Sequence, residues 1–455
     1  MKKNNSGNLG EPDLMDNEEL PEGWQEAPLL ELCELIRGVS YTKGEESHTS
    51  GKGFVPLLRA NNIDRELKFD DLYFVPERYV KPKQFLQQGD ALFAMSSGSK
   101  TVVGKAATVN KPFDGTFGAF CGVLRPSSKV DWKFFGYFFQ TKYYRDRISE
   151  ASAGVNINNL KREYFEAISF PVPPLAEQQR IVSRVEALLS HVNVARDRLS
   201  RVPLIMKKFR QAVLAAACSG RLTEGWREEK PDGCGIESID QGGYDSILPY
   251  NLDTIDALPK GWASVNLKKV ATCRLGKMLD KIKNQGILTP YIRNINVRWF
   301  EFDFSDIKEI KIEEHERDTY SLRCGDILIC EGGEPGRCAI WNGSENEYVF
   351  QKALHRVRIG NNILPEYLCF CLKDATNSGR LSTLFTGTTI KHLTGVSLKQ
   401  FQFPLPPLAE QHEIVRRVGL LFECADAFDR EVVLASRRCE RLTQGVLGKA
   451  FAGKL

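Results

Sequence analysis

No C-x-x-C pair occurs among the twelve cysteines, and histidine is scarce, with six residues in 455. Zinc chelation wants two such pairs, or one pair with spaced histidines, so no metal centre is expected. Scattered thiols without a secretory leader fit a reducing cytoplasm rather than a disulfide framework. Long apolar runs are missing as well. The longest, such as "AVLAAAC" at 212–218, fall far short of the roughly twenty residues that a membrane span needs. Nor does one sign of charge dominate, since 62 basic residues face 58 acidic ones. A stand-alone, sequence-blind nucleic-acid binder usually carries a stronger positive excess. Any DNA contact must then rely on local patches or on a companion subunit.

Catalytic fingerprints are lacking too. "GSKTVVGKAA" (98–107) imitates a phosphate loop, but five residues separate Gly98 from Gly104 and Ala106 follows Lys105, where that loop needs four residues and a Ser or Thr. "GKGF" at 51–54 has no third glycine, and "NKPF" at 110–113 lacks the second proline of a methyltransferase tetrapeptide. "FDFSDIKEIKIEE" at 302–314 reads as a solvated charged stretch rather than a nuclease carboxylate set. No catalytic residue and no cofactor site are expected in this chain.

What is there is a repeat, and repeats decide architecture before motifs do. "FPVPPLAEQQRIVSRVEALLS" (170–190) and "FPLPPLAEQHEIVRRVGLLFE" (403–423) share 13 of 21 positions, 233 residues apart. "LPEGW" at 20–24 returns as "LPKGW" at 258–262, "QGDALFA" at 88–94 as "CGDILIC" at 324–330, and "VPLLRANNI" at 55–63 more loosely as "LTPYIRNIN" at 288–296. "GVNINNL" (154–160) aligns with "GTTIKHL" (387–393), and "VLAAACSGRL" (213–222) with "VLGKAFAGKL" (446–455). The chain is a tandem duplication. With 42% hydrophobic and 26% charged residues, it suits a soluble globular protein of two or three domains.

Each copy has two parts. The first mixes short strand-like runs ("ALFAMS", "ILIC", "HRVRI") with turn residues and aromatic stretches such as "FFGYFFQ", which predicts an α/β (α+β) domain. The second is a long helix, with Pro174 at its first position and Glu177 in its first turn. Ile181, Val185, Leu188, Val192, Ala195, Leu199, Val202, Met206, Phe209 and Val213 alternate by four and three. Ile414, Val418, Leu421, Ala425, Phe428, Val432, Ala435, Cys439, Leu442 and Val446 repeat the stripe. Such a stripe wants another helix, and the simplest partner is the other copy, packed antiparallel so that the duplication acquires an approximate two-fold axis. Pro203 is expected to kink or break the first helix. The expected division is an N-terminal extension (1–19), a recognition domain (20–173), a long helix (174–217), a linker (218–257), a second recognition domain (258–406), and a second long helix with its tail (407–455).

Two α/β domains, each followed by a "PxPPLAEQ" helix, resemble the specificity subunits of Type I restriction-modification systems, over nearly the whole chain from Leu20 to Leu455. The first half resembles the enteric K-type members through "IRGVSY", "RANNI", "MSSGSKTVVGKAA", "FGAFCGVLRP" and "SAGVNINNL". The resemblance implies a non-catalytic subunit that reads a split sequence in double-stranded DNA and holds two modification subunits. Those partners would bring S-adenosylmethionine and methylate adenine, and restriction subunits would add ATP- and Mg2+-dependent translocation and cleavage. Two other readings compete: a duplicated coiled-coil scaffold for protein partners, and a single-chain nuclease or methyltransferase with a hidden site.

Base edges are read by Arg, Lys, Asn, Gln, Ser and Thr on loops, and phosphates by Arg, Lys and backbone N–H groups. In the first domain the candidate clusters are Arg59, Asn61 and Asn62; Ser96, Ser97, Ser99 and Lys100; and Asn156, Asn158, Asn159 and Lys161. In the second they are Arg293, Asn294, Asn296 and Arg298; Glu331, Glu334 and Arg337; and Thr388, Thr389, Lys391 and His392. The two glutamates stand out because a carboxylate accepts from cytosine but repels phosphate. For any single residue, plain turn chemistry competes with base contact. Within "GVNINNL" and "GTTIKHL" the shared Gly, Ile and Leu read as structural and the differing residues as readout. Glu177, Gln178, Glu410 and Gln411 on the helices read as scaffold, or as residues that orient the modification subunits.

Overall fold

The fold comes from a computed structural model, which describes residues 20–97, 102–151, 158–229, 258–280 and 285–455. The chain divides into two compact units, Met1–Ser200 with Val433–Leu455, and Arg201–Val432. The long helices Leu175–Cys218 and Leu408–Phe451 therefore each contribute to both units.

The duplicated sequence folds to a duplicated topology. A four-stranded antiparallel sheet in the first unit runs in the order Cys33–Arg37, Cys121–Pro126, Ala91–Ala94, Ala106–Thr108. The second unit has Ala271–Leu275, Leu354–Ile359, Ile327–Cys330 and Cys338–Ile340 in the same places. The runs read as strands from "ALFAMS", "ILIC" and "HRVRI" lie at these sheet centres, where Ala91–Ala94 and Ile327–Cys330 are buried throughout. Unbroken apolar runs of this kind suit strands covered on both faces. A three-stranded sheet follows in each unit, Tyr73–Pro76, Phe54–Leu58 and Thr116–Phe117 in one, Lys308–Ile312, Ile287–Ile292 and Val349–Phe350 in the other. The stretch 302–314 thus corrects its expected role. Lys308–Ile312 is a strand that buries Ile310 and Ile312 on one face and leaves charged residues on the other, the period-two pattern of a half-buried strand.

Both copies keep the same internal fastenings. Arg125 grips the buried Asp90 with two bonds of 2.8 and 2.7 Å, and Arg358 grips Asp326 at 2.6 and 3.1 Å. Forked pairing of this geometry is among the stronger polar contacts a protein makes. Backbones also meet closely at one matched point. A Cβ on Gly38 would sit 2.1 Å from the Gly118 carbonyl oxygen, and one on Gly276 would sit 2.2 Å from that of Gln351. In the first unit "FFGYFFQ" forms the helix Trp132–Phe138, capped by Asp131, which accepts from the amides of Lys133 and Phe134. Its Phe134, Phe135 and Phe138 pack with Phe170 and Phe451 in one aromatic core.

Within each unit the long helices run antiparallel. In the first, Arg180 reaches the Leu455 carbonyl (2.6 Å) and Arg196 reaches Thr443 (2.8 Å). In the second, Arg210 pairs with Asp429 (2.8 Å) and Arg417 reaches the Leu222 carbonyl (2.9 Å). Four details depart from the sequence expectation. The first helix is unbroken through Pro203, although the proline has no N–H to bond the Leu199 carbonyl. Pro174 precedes the helix and caps it, its carbonyl accepting from Glu177 and Gln178. Leu188, Phe209, Phe428 and Leu442 of the apolar stripe are exposed, and Leu189 is buried beside Val185 instead. Lastly, the expected linker begins as folded chain: Arg221–Thr223 and Glu224–Glu229 are helical, while 230–257 and the extension 1–19 lie outside the described residues.

The glutamine of each "PPLAEQ" is a clamp. Gln178, fully buried, accepts from the Asp131 amide (2.7 Å) and donates to the Pro173 carbonyl (2.8 Å). Gln411 repeats this with the Leu364 amide (2.8 Å) and the carbonyls of Pro406 and Asn362 (2.9 and 3.0 Å). Its neighbour is not symmetric. Glu410 is fully buried and accepts from Thr223 Oγ1 (2.6 Å), Trp262 Nε1 (2.8 Å) and Arg227, whereas Glu177 is part-exposed and pairs with Arg180 at 2.7 Å.

Candidate nucleic-acid interface

Each unit gathers its candidate side chains on one set of loops. In the first, Arg59 opens the short turn Ala60–Asn62 at the end of a core strand. Its guanidinium lies 3.5 Å from the Tyr73 ring centroid and bonds the Asp71 carboxylate (2.9 Å) and carbonyl (3.1 Å). Asn61 points outward and donates to the same carboxylate at 3.3 Å. Ser96–Ser97 pairs with Asn158–Asn159, which brings the second and third clusters together. Arg59, Asn61 and Ser96 line one groove of about 610 Å3 with Tyr41, Tyr73 and Phe120. Burial and the nearby Glu46 carboxylate raise the Tyr41 phenol above its ordinary value. Lys161 is exposed at the start of the helix Arg162–Glu166. Ser99, Lys100 and Asn156 lie outside the described residues, as do the side chains of Ser97, Asn158 and Asn159.

Asn62 leaves the candidate set. It is buried, accepting from the Arg59 amide (2.9 Å) and donating both amide hydrogens to the carbonyls of Lys68 and Asp70 (3.1 and 3.0 Å). With both donors committed and no water access, it holds the loop and has nothing left for a base. Asn296 does the same, accepting from the Arg293 amide and donating to the carbonyls of Asp303 and Asp306. The turn-residue reading wins at these two positions.

In the second unit, the loops carrying Arg293–Asn294, Glu331–Arg337 and His392 converge. Arg337 donates to the Asn294 carbonyl (2.9 Å) and to Glu334 (2.9 Å), and Trp299 donates to the other Glu334 oxygen (2.8 Å). Lys373 sits 4.1 Å from the Trp299 ring, its pKa lowered chiefly by burial. The His392 ring lies over Gly332, where a Cβ would come within 3.2 Å of it. His392 and Thr386 exchange two backbone bonds across a tight hairpin, and its tip presents Thr388, Thr389, Ile390 and Lys391 to solvent. Glu331 forms the base of that hairpin, with its backbone bonded to Ala353 and Leu393.

The arginines here arrive already matched. Arg293 holds Asp306 at 2.6 Å and keeps its carboxyl below the ordinary range; Asp303 is lowered by the Ser305 hydroxyl and amide, then by Arg298, which pairs with it at 3.3 Å. A phosphate would have to displace a carboxylate at such an arginine, which favours selective over indiscriminate attraction. The leucines shared by "GVNINNL" and "GTTIKHL" are buried, and each ties its loop to the strand end: Leu160 to Met95 and Leu393 to Glu331, both at 2.8 Å. Phe120, Tyr41, Tyr73 and Trp299 stand outside the clusters expected from sequence: Tyr41 follows a serine and Trp299 an arginine, but Tyr73 sits in "DLYF" and Phe120 in "GAFC", where no local feature marks a site. Among the described residues, no three His, Cys, Asp or Glu side chains gather as metal ligands, and no helix is long and apolar enough to cross a membrane.

These features define a recognition module repeated on a shared frame, with loops that vary and fastenings that do not. The family model for the Type I restriction modification DNA specificity domain matches residues 21–202 and again 259–426. The chain belongs to that family, as a specificity subunit that contributes DNA recognition rather than catalysis. It is 37% identical over 444 residues to the EcoKI specificity subunit of Escherichia coli K12, covering 96% of this chain and 90% of that one. It is 35% identical over 449 residues to the StySPI specificity subunit of Salmonella potsdam, covering 97% and 91%. A chain from a structure described as the "Structural basis underlying complex assembly and conformational transition of the type I R-M system" shares the fold, with a TM-score of 0.67 at 19% identity over 96% of this chain and all of that one.

Proposed function

We propose that this subunit reads a bipartite, asymmetric DNA sequence, each half through the loops of one recognition domain, and that its long helices hold two modification subunits. S-adenosylmethionine would reside on those subunits, and ATP and Mg2+ on restriction subunits that join them. The observation that carries the reading is the division of labour between matched positions. Asn62 and Asn296, Asp90–Arg125 and Asp326–Arg358, and Gln178 and Gln411 make the same bonds in both copies. The groups they present differ: Asn61, Ser96 and Phe120 on one copy, Asn294, Glu331, Glu334 and the Thr388–Lys391 tip on the other. One frame with unlike surfaces suits a target whose two halves differ.

Partner docking is supported by apolar side chains that neither copy covers. Leu420 and Phe428 in the second unit and Leu434 and Leu442 in the first are 42–58% exposed on one long helix, more apolar surface than a solvated helix needs. The decisive experiment exchanges residues 20–170 for the matching domain of a relative and maps methylated adenines genome-wide. Only one half of the methylated sequence should change; alteration of both halves sinks the modular reading. Binding by the assembled complex should also weaken steeply with salt, because phosphate contacts release counterions.

A further inference from the structure

Singly exposed apolar side chains are ordinary on protein surfaces, and Phe120 would pass as one on its 70% exposure alone. Its mounting sets it apart. The turn Gly118–Cys121 is closed by the Cys121 amide on the Gly118 carbonyl (2.8 Å) and fixed to the strand end Leu58 by the Gly118 amide (2.9 Å). The Phe120 carbonyl accepts from the amides of both Met95 and Ser96 (2.9 and 3.2 Å). Small neighbours, Gly118 and Ala119, leave the ring free. It shares one groove with Arg59, Asn61 and Ser96, so a rigid apolar surface stands among groups that suit base edges and phosphates. In the second unit the same turn recurs with the same fastenings, Leu354 to Gln351 (3.0 Å) and Glu331 to Ala353 (2.9 Å), but alanine occupies the place of the phenylalanine. The frame does not need the ring.

We infer that Phe120 is a specificity-determining residue for the first half of the DNA target, its ring packing on the C5-methyl of a thymine in the major groove. Resting on the functional reading above, this names one of its contacts. A base edge offers an apolar side chain one feature, the thymine methyl. An adenine in each half of the site, as methylation there requires, places at least one thymine opposite.

The test uses the complete complex with its modification subunits and duplexes carrying the methylation-mapped target, with each thymine of the first half replaced by deoxyuridine in turn. Wild type should lose roughly fourfold in affinity at one position, the value of one methyl group. Phe120→Ala should bind the unmodified target at least about fivefold more weakly, show no further loss at that position, and keep its response to changes in the second half. Thermal unfolding of the variant should match wild type. Unchanged affinity of Phe120→Ala, or losses from the variant and from deoxyuridine that simply multiply at every position, would overturn the inference; the latter result would point to a wedge between bases instead. If the wild-type complex fails to prefer the mapped sequence over a scrambled duplex, the functional reading itself is what fails.

Discussion

The motif "PPLAEQ" makes one prediction that sequence identity would deny: the same glutamate should matter in one copy and not in the other. Glu410 has no solvent contact and holds Thr223, Trp262 and Arg227, the last only 18% exposed. Glu410→Ala strands a cation, an indole N–H and a hydroxyl around a buried gap. Removing one member of a buried pair costs about 3–5 kcal/mol, largely because the other is left uncompensated. For a folding unit of this size, each kcal/mol lowers the melting temperature by about 2–4 °C, so a drop of roughly 6–20 °C is expected in the transition of the second unit. Glu410→Gln keeps an acceptor for Thr223 or Trp262 and should fall between. Glu177→Ala, which breaks only a surface pair with Arg180, should melt close to wild type, as exposed pairs contribute little. Calorimetry of the full-length chain reads the first effect. Hydrogen exchange over 219–229 reads it locally, since Thr223 and Arg227 lie on that segment. Equal shifts for the two alanine variants, or unaltered protection of 219–229 in Glu410→Ala, would refute the reasoning.

Two further outcomes follow from the site. Asn62→Ala should destabilise the first unit by about 2–3 kcal/mol, because three backbone groups lose their partner, while the adjacent Asn61→Ala should stay within about 0.5 kcal/mol in denaturant titration yet weaken binding to the first half-site. His355 is buried with Nε2 2.8 Å from the Leu393 carbonyl, and burial holds its pKa below the ordinary 6.5. The unfolded chain therefore binds the extra proton first as pH falls. Stability from this residue is full above about pH 6.5 and is lost below it, at no more than about 1.4 kcal/mol per pH unit. Urea midpoints between pH 7.5 and 5 should show that slope, and His355→Gln should flatten it; an unchanged slope would remove His355 from the account.

The duplication, the alternation of domain and helix, the antiparallel pairing of the helices and the non-catalytic character were all legible in the amino-acid sequence. Each rests on local or repeated information: a period of apolar residues, a motif and its echo, a fingerprint left incomplete. Side-chain fates were another matter. Asn61 and Asn62 are neighbours of one type, and only the carbonyls of Lys68 and Asp70 decide that the second turns inward. Leu188 and Leu189 share a helix, and only the second enters the core cluster that also holds Leu447 and Phe451. Glu410 is buried by Thr223, 187 residues away along the chain, and no window around "PPLAEQ" contains that partner. Periodicity could therefore determine the frame by itself, because every turn of a helix or pair of strand residues restates it. Which polar groups remain free to meet DNA depends on single contacts, some within one loop, as at Asn62, and others between segments far apart, as at Glu410, and those exist only once the chain has folded.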